Sequence, residues 1–158
     1  MSAKPLESAT LNGLYDQDFV FWCEETARLL RAGQLGEIDV ENLIEEVEAM
    51  AGSQRHEVRS RLRVLIGHLL KWDKEPEKRS RSWLSTITTQ RTEIEDLFEQ
   101  SPSLRRSLPE SVAKAYPTAV RDVTVETGLA KSDFPSECPY SLDQIMDHDF
   151  PPLSRRSR

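Results

Sequence analysis

The sequence has little cysteine, no long hydrophobic run and no apolar leader segment. Cys23 and Cys138 are its two cysteines, and neither has the neighbouring Cys or His residues that a zinc site requires. We therefore expect two free thiols, no metal and no cofactor. No segment approaches the roughly 20 apolar residues of a membrane span. These absences favour a cytoplasmic protein that does not bind a membrane.

The motifs of the common enzyme classes are also missing. The chain has no glycine-rich phosphate loop, no nucleophile elbow and no cysteine-protease signature. Glu41, Glu45 and Glu48 share one helical face, which is a spacing used by carboxylate-bridged metal sites, but the Glu-x-x-His pair of such sites is absent. These carboxylates are better explained as a solvated face. No catalytic residue is assigned, and whether the protein is an enzyme stays open.

Charge is distributed unevenly along the chain, although the net charge is −6. Residues 1–54 contain 3 Lys and Arg against 11 Asp and Glu, whereas residues 55–91 contain 10 against 4. The simplest use of a basic island between acidic segments is internal, through pairing of acidic and basic helices that pack together. An acidic chain with a pI near 5.2 is also a poor candidate for a dedicated nucleic-acid binder.

Helical periodicity dominates the chain, and no strand-like alternation extends beyond a few residues. We predict an all-α fold, a compact helical bundle built around one long helix and followed by an irregular, Pro-rich C-terminal segment. The predicted organisation is a flexible N-terminal arm over residues 1–14, a single helical domain over 15–151 and a basic flexible tail over 152–158.

The long helix is predicted from Asp39, as its N-cap, to Lys71. Its apolar stripe recurs at steps of three and four residues. We expect six of its members to form the spine of the core, namely Leu43, Val47, Val58, Leu62, Leu65 and Leu69. Gly52 and Ser53 are the point where this helix is most easily kinked or broken. The stripe consists of Leu43, Val47, Met50, Gln54, Val58, Leu62, Leu65 and Leu69.

Capping and breaking residues mark the later helices. Ser82 is predicted to cap the third helix. Pro102 and Pro109 stand where helical segments begin, and Gly128 stands where one ends. Pro117 falls inside the last long helix and is expected to kink or split it.

A turn rich in arginine and tryptophan is the candidate binding site. Guanidinium groups beside aromatic rings bind phosphates, carboxylates or unstacked bases. The structural alternative is that the tryptophans are buried while the arginines pair with carboxylates of the acidic first third or with carbonyls at helix ends. The candidate residues are Trp72, Arg79, Arg81, Trp83 and Arg91.

The order of these features resembles a known family. From Tyr15 to about Pro151, the chain is similar to the bacterial family called domain of unknown function twenty-nine. The resemblance implies an all-helical fold and assigns no activity, substrate or cofactor. The residues that carry it are Tyr15-Asp16-x-Asp18-Phe19-x-x-Trp22, Asp39-x-x-Asn42-Leu43-x-Glu45-Glu46, His68-Leu69-Leu70-Lys71-Trp72, Ser82-Trp83-x-x-Thr86-Ile87-x-x-x-Arg91, Ser101-Pro102-Ser103-Leu104, Tyr116, Glu126-Thr127-x-Leu129 and Phe134-Pro135-x-x-Cys138-Pro139-Tyr140.

Three interpretations of function follow, and the sequence favours the first. It is a helical interaction module without chemistry of its own, which binds itself or another protein. The second is a nucleic-acid-associated protein that uses the basic turn at 72–91 as a phosphate site. The third is an enzyme of a type that the sequence motifs do not reveal.

Overall fold

A computed structural model describes residues 11–153, and every element of regular structure in that part of the chain is helical. The all-α prediction, with one long helix, is confirmed. Short 3₁₀ turns connect several of the helices. The α-helices are α1 (Leu11–Gln17), α2 (Phe19–Ala32), α3 (Val40–Lys74), α4 (Arg81–Gln100), α5 (Leu108–Thr127) and α6 (Leu142–Met146).

The two predicted flexible ends fall mostly outside the described part of the chain. Residues 1–10 and 154–158 are not described. Residues 11–14 belong to the predicted N-terminal arm, and the structure places them in the first turn of α1. The described residues group into two compact units, with the boundary between Gly52 and Ser53. The single domain over 15–151 stays a prediction.

The first unit contains α1, α2 and the beginning of α3. Three aromatic rings pack together where α1 meets α2, with the ring centroid of Tyr15 5.9 Å from Phe19 and 5.1 Å from Trp22. Trp22 and Leu29 are buried on the inner face of α2. In this unit α2 ends at Gly33, where the backbone adopts the left-handed conformation that favours glycine.

Two polar contacts attach the start of α3 to the preceding helices. The buried Asp39 carboxylate caps α3, accepting from the Asn42 backbone at 3.4 Å and its amide at 2.7 Å, and from the Trp22 indole at 3.3 Å. The Tyr15 hydroxyl donates to the Glu46 carboxylate at 2.6 Å, which raises the pKa of Tyr15 to about 12. The predicted N-cap at Asp39 is confirmed, and the same carboxylate also accepts a hydrogen bond from the Trp22 indole.

The second unit has a large apolar core between α3, α4 and α5. Apolar residues recur at three- and four-residue steps on each helix, so that one face of each is buried. On α3 these are Val58, Leu62, Leu65, Ile66, Leu69 and Leu70. The other helices and the C-terminal segment supply Ile87, Ile94, Phe98, Leu104, Leu108, Val112, Ala115, Tyr116, Ala119, Val120, Val123, Phe134 and Ile145.

The predicted breaks in the chain are confirmed with small differences. Pro102 opens a 3₁₀ turn, Pro109 lies in the first turn of α5, and Gly128 ends that helix in a left-handed conformation. α4 begins two residues earlier than expected, because Ser80 rather than Ser82 caps it through the Trp83 amide. These features depend on local backbone chemistry, which the sequence displays directly.

Three expectations about the long helices need correction. α3 runs unbroken through Gly52 and Ser53 for 35 residues, about 52 Å at 1.5 Å per residue. α5 is likewise not split at Pro117, since a helix loses one hydrogen bond at a proline without having to end there, and the kink at Pro117 stays a prediction. The expected spine is wrong at its N-terminal end, where Val47 is 53% exposed and Leu43 only half-buried.

Candidate interaction surface

Trp72 and Arg79 lie together at the C-terminal end of α3. The Arg79 side chain folds back so that its Nε donates to the Trp72 carbonyl at 2.7 Å. Its guanidinium carbon lies 5.1 Å from the centre of the Trp72 ring. Trp72 itself is buried, whereas Arg79 is exposed. The arginine therefore covers one of the last carbonyls of α3, as the structural alternative expects.

Trp83 contacts a lysine from α3 instead of an arginine. The Lys71 ammonium lies 5.1 Å from the Trp83 ring centre and donates to the Glu126 carboxylate at 2.7 Å. Arg81 is exposed in the first turn of α4. Arg63 and Lys71 of the basic segment pair with carboxylates of the last third, and Lys78 pairs with Glu75 inside the basic segment, whereas the sequence analysis expected pairing with the acidic first third.

Arg91 lies in the interior, with 1% of its surface exposed. Its three guanidinium nitrogens donate to three carbonyls of the C-terminal segment, those of Gln144 at 3.0 Å, Ile145 at 2.7 Å and Phe150 at 2.6 Å. Burial lowers the pKa of Arg91, and nearby Asp147 and Glu95 act in the opposite direction. Arg91 thus connects α4 to the C-terminal segment through three hydrogen bonds. That the five residues form a binding site stays a prediction.

The largest unexplained feature of the surface lies in the first unit. Thirteen large apolar side chains are exposed among the described residues, and nine of them fall within residues 19–50. Four of these follow one another along α3 at steps of four, three and three residues, which places them in a single line. We call this line the α3 row, and it consists of Val40, Ile44, Val47 and Met50, each between 52% and 63% exposed.

An acidic rim borders the α3 row. Glu41, Glu45 and Glu48 are exposed and follow the row residues by one position each, so they project beside it at 100° per residue. The opposite side of this helical segment holds Asn42 and Glu46, which are engaged by the contacts with Asp39 and Tyr15 described above. The beginning of α3 therefore has an inner polar side, an outer apolar row and an acidic rim.

Exposed apolar side chains also occur on α2 and just after it. Val20 is 66% exposed, Phe19 and Leu30 are each 46% exposed, and Leu35 is 63% exposed. Phe19 and Leu30 lie eleven positions apart, which is three helical turns, so both project on one face of α2. The first unit therefore exposes apolar side chains on two of its helices.

Other chemistry is sparse in the described part of the chain. Within residues 11–153, no group of three or more His, Cys, Asp and Glu side chains is placed to hold a metal ion. Cys23 and Cys138 are free thiols, and burial raises the pKa of Cys138, which makes its thiolate less available. None of the helices in residues 11–153 combines the length and apolar character needed to cross a membrane.

Sequence reasoning assigned Val47 of this row to the spine of the core and Met50 to the same apolar stripe. Periodicity alone could not separate a buried stripe from an exposed one, because both repeat every three or four residues. A usable signal was present in the three glutamates that follow the row residues at the same spacing. A row bordered in this way on a helix that already has an inner polar side is typical of an interface.

Comparison with known proteins gives a family and no named relative. Neither the curated proteins nor the solved structures contain a match to this chain. One family model matches residues 14–151, which is nearly all of the chain and includes both units. The motif residues Tyr15, Trp22, Asp39 and Arg91 fall within that match and make the contacts described above. The chain therefore belongs to the family described as Domain of unknown function DUF29.

Proposed function

We propose that this protein is a helical interaction module that binds another protein through the α3 row. The observation that carries the proposal is the concentration of exposed apolar side chains in the first unit. Exposed apolar surface that forms a line along a helix is the form in which helices bind amphipathic helices. The occupant that fits this surface is an amphipathic helix with an apolar seam and flanking Lys or Arg residues.

The spacing of the α3 row supports a helical occupant. Val40, Ile44 and Val47 repeat with the four-and-three alternation by which two helices interlock their side chains. Ala51 continues the same alternation four residues after Val47. The row covers about 16 Å of helix at 1.5 Å per residue, which matches about three turns of a partner.

The charge of the rim supports a basic occupant over a second copy. Glu41, Glu45 and Glu48 would lie beside the flanks of any helix bound along the row. In a symmetric pair of such rows, these carboxylates would lie close to one another, and like charges in that position are destabilising. A helix with Lys or Arg flanks would be attracted and oriented by the same rim.

The experiment uses a labelled synthetic helix of about three heptads with Leu at the seam and Lys on the flanks. Fluorescence anisotropy should show saturable binding to the wild-type chain, and the double variant Ile44→Gln with Val47→Gln should bind at least about tenfold more weakly. Val125→Gln is the matched control, because Val125 is 81% exposed on α5. Glutamine is a good helix former, so both variants keep their helices.

Four results would overturn the proposal. If the double variant bound the peptide as tightly as the wild type, the α3 row would not be the binding site. If Val125→Gln weakened peptide binding as much as the double variant does, the effect would not be specific to the row. A peptide with Glu flanks that binds as well as the Lys peptide would contradict the role of the rim. A wild-type dimer in sedimentation that becomes a monomer in the double variant would show that the occupant is a second copy.

A further inference from the structure

A basic groove lies along α5 on the second unit, bordered in one part by α3 and in the other by the 3₁₀ turn that contains Lys131. It consists of two hollows of about 160 Å³ and 310 Å³, and Thr118 lines both of them. We call it the α3–α5 groove. Its position on the second unit makes it independent of the α3 row and of the function proposed above.

Cations line both hollows of the α3–α5 groove. Arg59, Arg63 and Lys114 line the first hollow, and Arg121 and Lys131 line the second. This concentration is notable in a chain whose net charge is −6. A groove of one charge sign raises the local concentration of ions of the opposite sign.

Two of these five cations are already paired. Arg63 donates to both oxygens of the Asp122 carboxylate, and Lys114 lies 2.6 Å from a Glu110 oxygen. Within residues 11–153, the other three, Arg59, Arg121 and Lys131, have no carboxylate within ion-pairing distance. Each hollow therefore keeps at least one cation available for an anion.

The cations of the first hollow are close enough to act together. The hydrogen bond from Lys114 lowers the pKa of Glu110, and the charges of Arg59 and Arg55 lower it further. Arg59 and Lys114, which both line the first hollow, thus act on one neighbouring carboxylate. Side-chain hydroxyls of Ser60 and Thr118 line the same hollow and are further donors for phosphate oxygens.

We propose that the α3–α5 groove binds a small anion that carries two or more phosphate groups. Arg59, with the hydroxyls of Ser60 and Thr118, would hold one phosphate, and Arg121 and Lys131 would hold another. No Phe, Tyr or Trp lines either hollow, and the imidazole of His56 is the one aromatic ring among the lining residues. That absence and the acidic remainder of the chain favour a short phosphate chain over a nucleic acid.

The experiment is calorimetric titration at low salt with inorganic tripolyphosphate and with orthophosphate. The wild-type chain should bind tripolyphosphate at least about tenfold more tightly, because only the longer anion reaches both hollows. The double variant Arg59→Gln with Lys131→Gln should lose about tenfold or more in tripolyphosphate affinity. Lys74→Gln with Arg106→Gln removes the same charge from exposed positions outside the groove and should stay within about twofold.

The competing outcomes are separable. Equal losses in both double variants would show that net charge alone attracts the anion, and equal affinity for the two phosphates would contradict a two-hollow site. A single-stranded oligonucleotide that binds more tightly than tripolyphosphate, and releases it, would make nucleic acid the occupant. Circular dichroism verifies that each variant is folded. The double variant Arg59→Gln with Lys131→Gln should bind the labelled helix as tightly as the wild type does. This proposal and the proposed interaction module can therefore fail separately.

Discussion

Arg91 is a buried cation whose partners are all backbone carbonyls. Its guanidinium is planar and presents its N–H groups in fixed directions, which suits two carbonyls of the short helix α6 and the Phe150 carbonyl after it. A lysine would supply one centre of charge in place of this fork. The residue therefore satisfies carbonyls at the end of α6 and beyond it that have no helical hydrogen bond.

Substitution of Arg91 should be among the most destabilising changes in the second unit. Arg91→Leu leaves the Gln144, Ile145 and Phe150 carbonyls without their donor, so we expect the free energy of unfolding to fall by about 3 kcal/mol. Urea unfolding measures the change. Arg106→Leu, at an exposed arginine, is the control and should shift stability by no more than about 0.5 kcal/mol. A similar small shift for Arg91→Leu would show that the three bonds contribute little.

His68 should make stability depend on pH near neutrality. Burial lowers the pKa of His68 below its ordinary value, with a smaller effect of Lys71 in the same direction, while the Val64 carbonyl and Glu126 oppose it. The unfolded chain thus takes up this proton first as pH falls, so the stabilisation is present above about pH 6.5 and is lost as pH falls through the folded pKa.

The test compares urea unfolding of wild type and His68→Asn at several pH values between about 5 and 8. We expect the wild-type free energy of unfolding to decrease towards the acidic end and the variant to show a flatter dependence. Glu25 and Glu110 also have lowered pKa values, but they titrate below this window and are common to both proteins. Parallel pH curves for the two proteins would contradict the assignment to His68.

Among the helices, α3 shows most clearly what periodicity can and cannot predict. Its length, its N-cap at Asp39 and the burial of Leu62 and Leu65 follow from local signals in the sequence. The exposure of Val47 does not follow from these signals. The three- and four-residue spacing of apolar residues continues into a segment of α3 whose outer face has no helix against it in the described structure. Periodicity identifies a face of a helix, whereas burial depends on whether another element covers that face.

Two truncations on α3 should separate its buried and exposed parts. Leu65 is fully buried, so Leu65→Ala removes apolar contacts and leaves a cavity, with an expected loss of about 2 to 5 kcal/mol. Val47→Ala, at a side chain that is 53% exposed, should change stability by no more than about 0.5 kcal/mol. Thermal and urea unfolding measure both. A large loss for Val47→Ala would mean that the α3 row is covered in solution.

The candidate site was harder to predict than the fold. The aromatic and arginine residues at 72–91 drew attention because they are close in sequence, yet Arg91 finds its partners more than fifty positions away. The α3–α5 groove has the opposite property, since Arg59 and Lys114 are far apart in sequence and line one hollow only when α3 and α5 pack. Long-range proximity is a property of packing, which local patterns do not contain.

The two units should differ in how readily they open. Nineteen buried apolar residues form the core of the second unit, whereas the first unit buries only a few large side chains, Trp22 and Leu29 among those described. Local opening is easier where little apolar surface is buried. We expect amides of α2 to exchange with deuterium at least about tenfold faster than those of residues 58–72, measured by mass spectrometry. Equal protection would contradict this difference.

The attachment of Arg91 also has a consequence for the order in which the chain is made. α4 leaves the ribosome before residues 144–150 have been added, so a growing chain has no donor–acceptor pairing for Arg91 until Phe150 has emerged. A product that ends before Gln144 would lack the segment that covers Arg91 and would also lack Ile145 from the core, so the second unit would leave apolar surface exposed. Completion of the second unit therefore reports that translation has proceeded through Phe150, and shortened products remain open to proteolysis.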